Sequence, residues 1–143
     1  MTRTKFVTVV IIGLFIILQL IPLNQINPPV IQDANAPQNV KNILMTSCYD
    51  CHSNETIWPW YSRIAPGSFL ITHDVVEGRE HLNFSEFSGL DGFDSTDLAE
   101  ELLEVLEEGE MPIIPYLILH PDASLSDSQT KVLVKWAESL FPK

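Results

Sequence analysis

One uninterrupted apolar run dominates the amino-terminal part of the chain. Residues 6–23 read FVTVVIIGLFIILQLIPL, which is eighteen residues without a charge. As a helix this run would be about 27 Å long, close to the ~30 Å hydrocarbon core of a bilayer. The pattern therefore predicts one transmembrane helix, within an anchor over residues 1–23.

A cleaved signal peptide is the competing interpretation of this run. Signal peptides have apolar cores of only ~7–15 residues and a small-residue cleavage site close behind, whereas Ile21 and Pro22 follow here. Both interpretations imply export. Arg3 and Lys5 precede the run and the first charge after it is Asp33. The positive-inside rule therefore predicts a single-pass protein of the cell membrane whose remaining chain faces the extracytoplasmic side.

The pattern changes after the apolar run. Residues 24–36, NQINPPVIQDANA, have neither a helical nor a strand period and are rich in Asn, Gln and Pro. This composition predicts an extended linker, followed by a folded domain over residues 37–143. Four stretches of the domain have apolar residues at helical spacing and none alternates as a strand would, so the predicted fold class is all-α.

The first two domain helices flank the most unusual part of the sequence. The first is expected to be capped by Asn35, to have Pro37 in its first turn, and to run into Cys48. The second is expected from about Pro66 to Arg79. Its predicted apolar side consists of Phe69, Leu70, His73 and Val76.

The third helix is expected to be capped by Asp94 or Ser95 and to stop at Gly109. The fourth is expected to start at Ser126, with Gln129 completing a capping box. The predicted buried stripes are Leu98, Leu102, Val105 and Leu106, and then Val132, Leu133, Trp136 and Leu140. The connections HLNFSEFSGLDGF and MPIIPYLILHPDA are long for a compact domain, which favours a large apolar cofactor that organises them.

The charge balance narrows the choice of partners. The net charge is −11, and beyond residue 23 six Lys or Arg residues stand against nineteen Asp or Glu residues. Nucleic acid and anionic lipid headgroups are poor partners for such a surface. The run AEELLEVLEEGE is either a solvated helix face or a docking patch for a basic redox protein.

Cys48 and Cys51 are the only cysteines, and His52 follows the second one directly. A zinc site would need four ligands, and His73 and His81 follow at gaps of 21 and 7 residues where a zinc finger has ~12 and 3–5. A redox dithiol normally starts a helix that follows a strand, and no strand pattern precedes this pair.

Covalent haem attachment accounts for the whole C-x-x-C-H trio. Two thiols at this spacing can add to the two vinyl groups of one haem, and His52 is then placed as an axial ligand of the iron. The sequence therefore predicts one haem c per chain, held by Cys48 and Cys51. Export is also what this attachment would require.

The CYDCH motif, the later GEMP and the aromatic carboxy-terminal helix together resemble c-type cytochromes. More closely, CYDCHSNETIWPWYSRIAPGSFLITHDVVEGREHLNFSEF and GEMPIIPYLILHPDASLSDSQ resemble membrane-anchored mono-haem proteins described as haem-binding domain proteins, over roughly residues 38–140. The resemblance implies a small cytochrome c-like helical domain wrapped around a covalent haem. Val40 and Leu44 depart from the soluble class I pattern, which usually has Gly and an aromatic residue there.

The sixth ligand of the iron would decide between carrying electrons and binding a ligand. Met111 in GEMP resembles the Met ligand of many cytochromes c, although Met more commonly fills a gap in a core. His73 is the alternative distal ligand, followed by His120 and His81.

Further residues are candidates for contacts with the haem. Trp58, Trp60, Tyr61 and Phe69 are either haem walls or ordinary core aromatics. Arg63 and Arg79 are the only arginines beyond the apolar run, and each is either a partner of a haem propionate or a surface ion-pair residue.

The predicted function is an electron carrier anchored in the membrane and working with redox protein partners, without enzymatic activity. A haem-based sensor with a displaceable sixth ligand is the first alternative. A peroxidase is the second, and it would need a distal acid–base group for which the candidates are His73 or His81 with Glu77 or Glu80.

Overall fold

The computed structural model describes residues 2–86 and 93–141, with the side chains of residues 93–98 outside the described part. Seven α-helices are found in these residues. They are α1 Arg3–Gln19, α2 Gln38–Ser47, α3 Tyr49–His52, α4 Gly67–His81, α5 Phe93–Glu108, α6 Ile114–Leu119 and α7 Asp127–Glu138. Two short 3₁₀ turns, Trp60–Arg63 and Pro121–Ala123, precede α4 and α7.

The apolar amino-terminal run forms a shorter helix than its length predicts. Helix α1 has 17 residues, and within residues 2–86 and 93–141 no helix reaches the length and apolarity needed to cross a membrane. The predicted transmembrane helix is therefore wrong. The helix ends early because Pro22 has no N–H and disfavours helical geometry in the residue before it. The Gln19 side chain also donates to Arg63 O at 2.6 Å and accepts from Ala65 N at 3.1 Å.

Residues 24–36 lie along the domain in an irregular conformation. The Gln25 side chain donates to Ser62 O at 2.6 Å, and Ile31 N donates to Ser85 O at 2.9 Å. Further along, Ala34 is 5% exposed and belongs to the core. This segment is therefore fastened to the domain at several points along its length.

The core forms where α7 packs against α2 and α5. Its buried residues are Ala34, Val40, Leu44, Tyr49, Phe84, Leu106, Leu133 and Trp136. Val40 and Leu44 stand where soluble class I cytochromes usually have Gly and an aromatic residue, and here they pack in one cluster with Trp136. The predicted start of α7 is confirmed, because Ser126 and Gln129 form the reciprocal capping box.

Helix α4 occupies the predicted stretch but buries a different face. Its buried residues are Ser68, Thr72, Val75 and Gly78, whereas Leu70 and Val76 are 53% and 42% exposed. The prediction that His73 faces the core is also wrong, since its side chain is 61% exposed. Small residues face inward because α4 crosses α3 closely. A Cβ on Gly78 would lie 2.8 Å from Cys51 O.

Helix boundaries agree with the sequence at some ends only. Helix α2 begins directly after Pro37 without a side-chain cap, so Asn35 is not its cap. Helix α5 begins at Phe93, which puts Asp94 and Ser95 inside the helix, while the side chain of Leu98 lies outside the described residues. The predicted stop at Gly109 is confirmed by its φ of 69°. Glu110 N donates to Val105 O at 3.1 Å, as in a Schellman motif.

Candidate functional site

The break between α2 and α3 places the C-x-x-C-H residues. Helix α2 ends one residue before Cys48 and α3 begins one residue after it. Cys48 N donates to Leu44 O at 2.8 Å, and His52 N donates to Cys48 O at 2.9 Å, so the chain stays helically wound across the break. Cys48 and Cys51 are both half-buried residues, and neither is in a disulfide. Because the chain stays helically wound here, Cys48, Cys51 and His52 can line the same cavity.

A cavity of about 340 Å³ lies against these three residues. Met111, from the connection between α5 and α6, lines the same cavity. The other walls are mainly apolar side chains of α2, α5 and α7 and the residue before α7: Leu44, Leu102, Val105, Leu106, Leu125 and Leu133. The volume lies within the ~300–1,000 Å³ of typical ligand and cofactor sites. Residues from distant parts of the domain thus line one partly open cavity.

The imidazole of His52 is held in one orientation. Its Nδ1 lies 3.1 Å from Leu82 O, and because a carbonyl oxygen only accepts, Nδ1 carries the proton. Phe84 presents a ring edge-on to the imidazole at 6.5 Å between centroids. Burial, more than any other factor, lowers the pKa of His52 and keeps the ring neutral. The Nε2 lone pair of His52 is therefore available to a metal, in the tautomer that metal-binding histidines commonly use.

The environment of the two thiols argues against a redox dithiol. Burial raises the pKa of Cys48 to about 12, and burial together with Asp50 and Asp74 raises the pKa of Cys51 to about 11. A redox-active thiol needs the opposite shift. In the part of the chain that the structure describes, no group of three or more His, Cys, Asp or Glu side chains could hold a metal ion.

Of the other sequence-predicted candidates, His81 and Glu77 also line the cavity, and most of the rest lie away from it. Its lining does not include Trp58, Trp60, Tyr61, Phe69, Arg63, Arg79, His73 or His120. Trp60 is 76% exposed. The Arg79 guanidinium donates to Ser53 O at 2.7 Å and to the side chains of Asn27 and Thr56. Arg79 therefore clamps the segment before α2 against the loop after α3.

The chemistry of this cavity fits a haem. Two thiols two residues apart, an imidazole with an unprotonated Nε2 and a thioether line a mainly apolar space, whose lining also includes acidic side chains such as Asp50, Asp74 and Glu101. Ser47 also lines it, and its Oγ is the one buried side-chain oxygen or nitrogen of the described residues without a hydrogen-bond partner.

The sequence model of one protein family, described as haem-binding domain, matches residues 13–139. The chain belongs to the haem-binding domain family. Comparisons with curated proteins and with solved structures find no match. The matched range contains every residue that lines the cavity, so the family assignment supports haem as the cofactor of this site.

Sequence reasoning missed several residues of the haem-binding domain that shape this site. Leu82 and Phe84 orient His52 from a stretch expected to be a connection. Tyr116, on the unexpected helix α6, lines the cavity and donates to Asp50 Oδ2 at 2.8 Å. The position of Asp50 between the cysteines could have suggested a contact, but no pattern indicates its partner.

Proposed function

We propose that this haem-binding domain is a c-type cytochrome that carries single electrons on the extracytoplasmic side of the cell. Cys48 and Cys51 would hold one haem c by thioether bonds, with His52 as its proximal ligand and Met111 as its distal ligand. The observation that supports this most strongly is that one cavity is lined by all four residues. The extracytoplasmic location is part of the proposal because covalent haem is attached after export.

A bound haem supplies a metal centre that gains and loses one electron. The residues of this chain would keep the surroundings of that centre the same in both states. Leu82 O fixes the ring of His52 through Nδ1, and the leucines of α5 and α7 give the cavity apolar walls. If His52 and Met111 both held the iron, little would have to rearrange when its charge changes.

A haem-based sensor or ligand-binding module is the second candidate, and one observation favours it. Met111 is 38% exposed, and the helix that follows it, α6, contains no buried residue. A distal ligand on such a segment could be displaced by a small molecule. The electron carrier and the sensor therefore differ in how firmly Met111 would stay bound to the iron.

Absorption spectra of the purified oxidised and reduced protein test the proposal. An electron carrier is expected to be six-coordinate and low-spin in both states, to show the sulfur-to-iron charge-transfer band in the near infrared when oxidised, and to leave carbon monoxide unbound when reduced. A high-spin spectrum, or carbon monoxide binding at equilibrium, would replace the carrier with the sensor.

A further inference from the structure

We propose that the hydrogen bond from Tyr116 Oη to Asp50 Oδ2, here called the Asp50–Tyr116 latch, positions Met111 over the haem cavity. This inference rests on the proposed function, because it concerns the retention of Met111 as the distal ligand. The latch joins the segment that would carry the covalent haem to the segment that would supply the sixth ligand. Its two residues would act through Met111 and not on the iron itself.

The segment that carries Met111, residues 109–120, is lightly attached to the domain. Met111 itself is exposed, and no residue of α6 is buried. Within the described residues, two side-chain hydrogen bonds connect this segment to other elements. They are the Asp50–Tyr116 bond of 2.8 Å and the bond between Tyr61 Oη and His120 Nε2 of 3.1 Å. Few other contacts can therefore compensate if one of these is lost.

The Asp50 end of the latch is well fixed. Asp50 lies on α3 between the two cysteines, and its other carboxylate oxygen accepts from Ile57 N at 3.1 Å. Asp50 and Tyr116 both line the cavity that Cys48, Cys51 and His52 line. A carboxylate held in this way makes the hydrogen bond charge-assisted, which is stronger than a bond between neutral groups.

The Tyr116 end is oriented by a second contact. The ring of His120 stacks on the ring of Tyr116 with centroids 4.2 Å apart, and Tyr61 in turn holds His120. Burial and the bond to Asp50 raise the pKa of Tyr116, so its hydroxyl remains a donor. Tyr116 follows Met111 by five residues, and its position therefore restricts how far the thioether can move away from the cavity.

Tyr116→Phe in the full-length, haem-loaded protein tests the latch. A hydrogen bond to a charged group changes an equilibrium by roughly ten- to a hundredfold. We therefore expect the reduced variant to bind carbon monoxide at least about tenfold more tightly than wild type, and its near-infrared band to weaken when oxidised.

Tyr49→Phe is the matched control. Tyr49 Oη donates to Asp33 Oδ1 at 2.7 Å, so this variant also loses a bond between Tyr and Asp beside a cysteine, but one that does not reach Met111. Both variants should lose similar stability in urea, whereas Tyr116→Phe alone should change carbon monoxide affinity. This difference separates a positioning role from general loosening.

The outcomes distinguish the latch from the proposed function on which it rests. A wild-type band that Tyr116→Phe leaves unchanged, with unchanged carbon monoxide affinity, would overturn the latch alone. An equal rise in affinity in Tyr49→Phe would overturn it as well. A wild-type protein without the band would remove Met111 as a ligand, and with it both the carrier proposal and the latch.

Discussion

Replacing Met111 with alanine is expected to abolish the near-infrared sulfur-to-iron band and to open the haem to external ligands. Met111 is the one methionine among the residues that line the cavity. If its thioether occupies the iron about 99% of the time, removing it should raise the apparent affinity of the reduced protein for carbon monoxide about a hundredfold. Spectra and carbon monoxide titrations of both proteins measure the change.

Met45→Ala is the control for this experiment. Met45 is close in sequence to the cysteines. Its side chain is 55% exposed on α2 and does not line the cavity. Its replacement should leave both the band and the affinity unchanged. A band that survives in Met111→Ala would show that sulfur ligation comes from elsewhere, and the assignment of the distal ligand would have to be abandoned.

Gly78→Ala is expected to destabilise the folded protein by about 1–2 kcal/mol. The new Cβ would lie 2.8 Å from Cys51 O and 3.1 Å from Cys51 Cβ, so α4 or the segment that contains Cys51 must move. Overpacking of this kind costs about 1–3 kcal/mol, and the better helix propensity of alanine returns at most ~1 kcal/mol. Urea unfolding of the two proteins gives the difference in free energy.

Gly67→Ala is the comparison within the same helix. A Cβ there would have its nearest neighbour, Tyr61 O, at 4.0 Å, so we expect a stability equal to wild type or up to about 1 kcal/mol higher. If both variants behaved alike, the close crossing of α4 over α3 would not be a source of strain, and Gly78 would have no special role in placing Cys51.

Elements with local chemical signals were predictable from the sequence. The capping box of Ser126 and Gln129 marks the start of α7, because both halves of it are encoded within four residues. Gly109 marks the end of α5, because its positive φ is costly for other residues. In each case the deciding interaction lies within one turn of the residue that signals it.

Packing between distant segments was not predictable in the same way. The inward face of α4 consists of small residues such as Ser68 and Gly78, and hydrophobic periodicity gives no weight to such a face. Its selection depends on the approach of α3, which is a tertiary contact. The apolar run at the amino terminus likewise has the composition of a membrane helix, but Pro22 and the contacts of Gln19 end α1 at 17 residues.

In the candidate site, too, local sequence signals identify some residues, whereas contacts between distant segments could not be predicted. The C-x-x-C-H spacing and the GEMP motif pointed to Cys48, Cys51, His52 and Met111, and these residues do line one cavity. The orientation of His52 depends on a backbone carbonyl, that of Leu82, which no side-chain pattern reveals. The Asp50–Tyr116 latch spans 66 residues of sequence, and each partner alone looks like an ordinary polar residue.

Covalent attachment of haem to Cys48 and Cys51 is the central claim, and the intact mass of the denatured full-length protein tests it most directly. The protein would be produced in a host that exports proteins and attaches haem, then denatured and extracted to remove any free haem. We predict a chain heavier than its polypeptide by the mass of one haem, with the addition mapping to the peptide that contains both cysteines. A chain of unmodified mass, with haem recovered in the extract, would contradict the account.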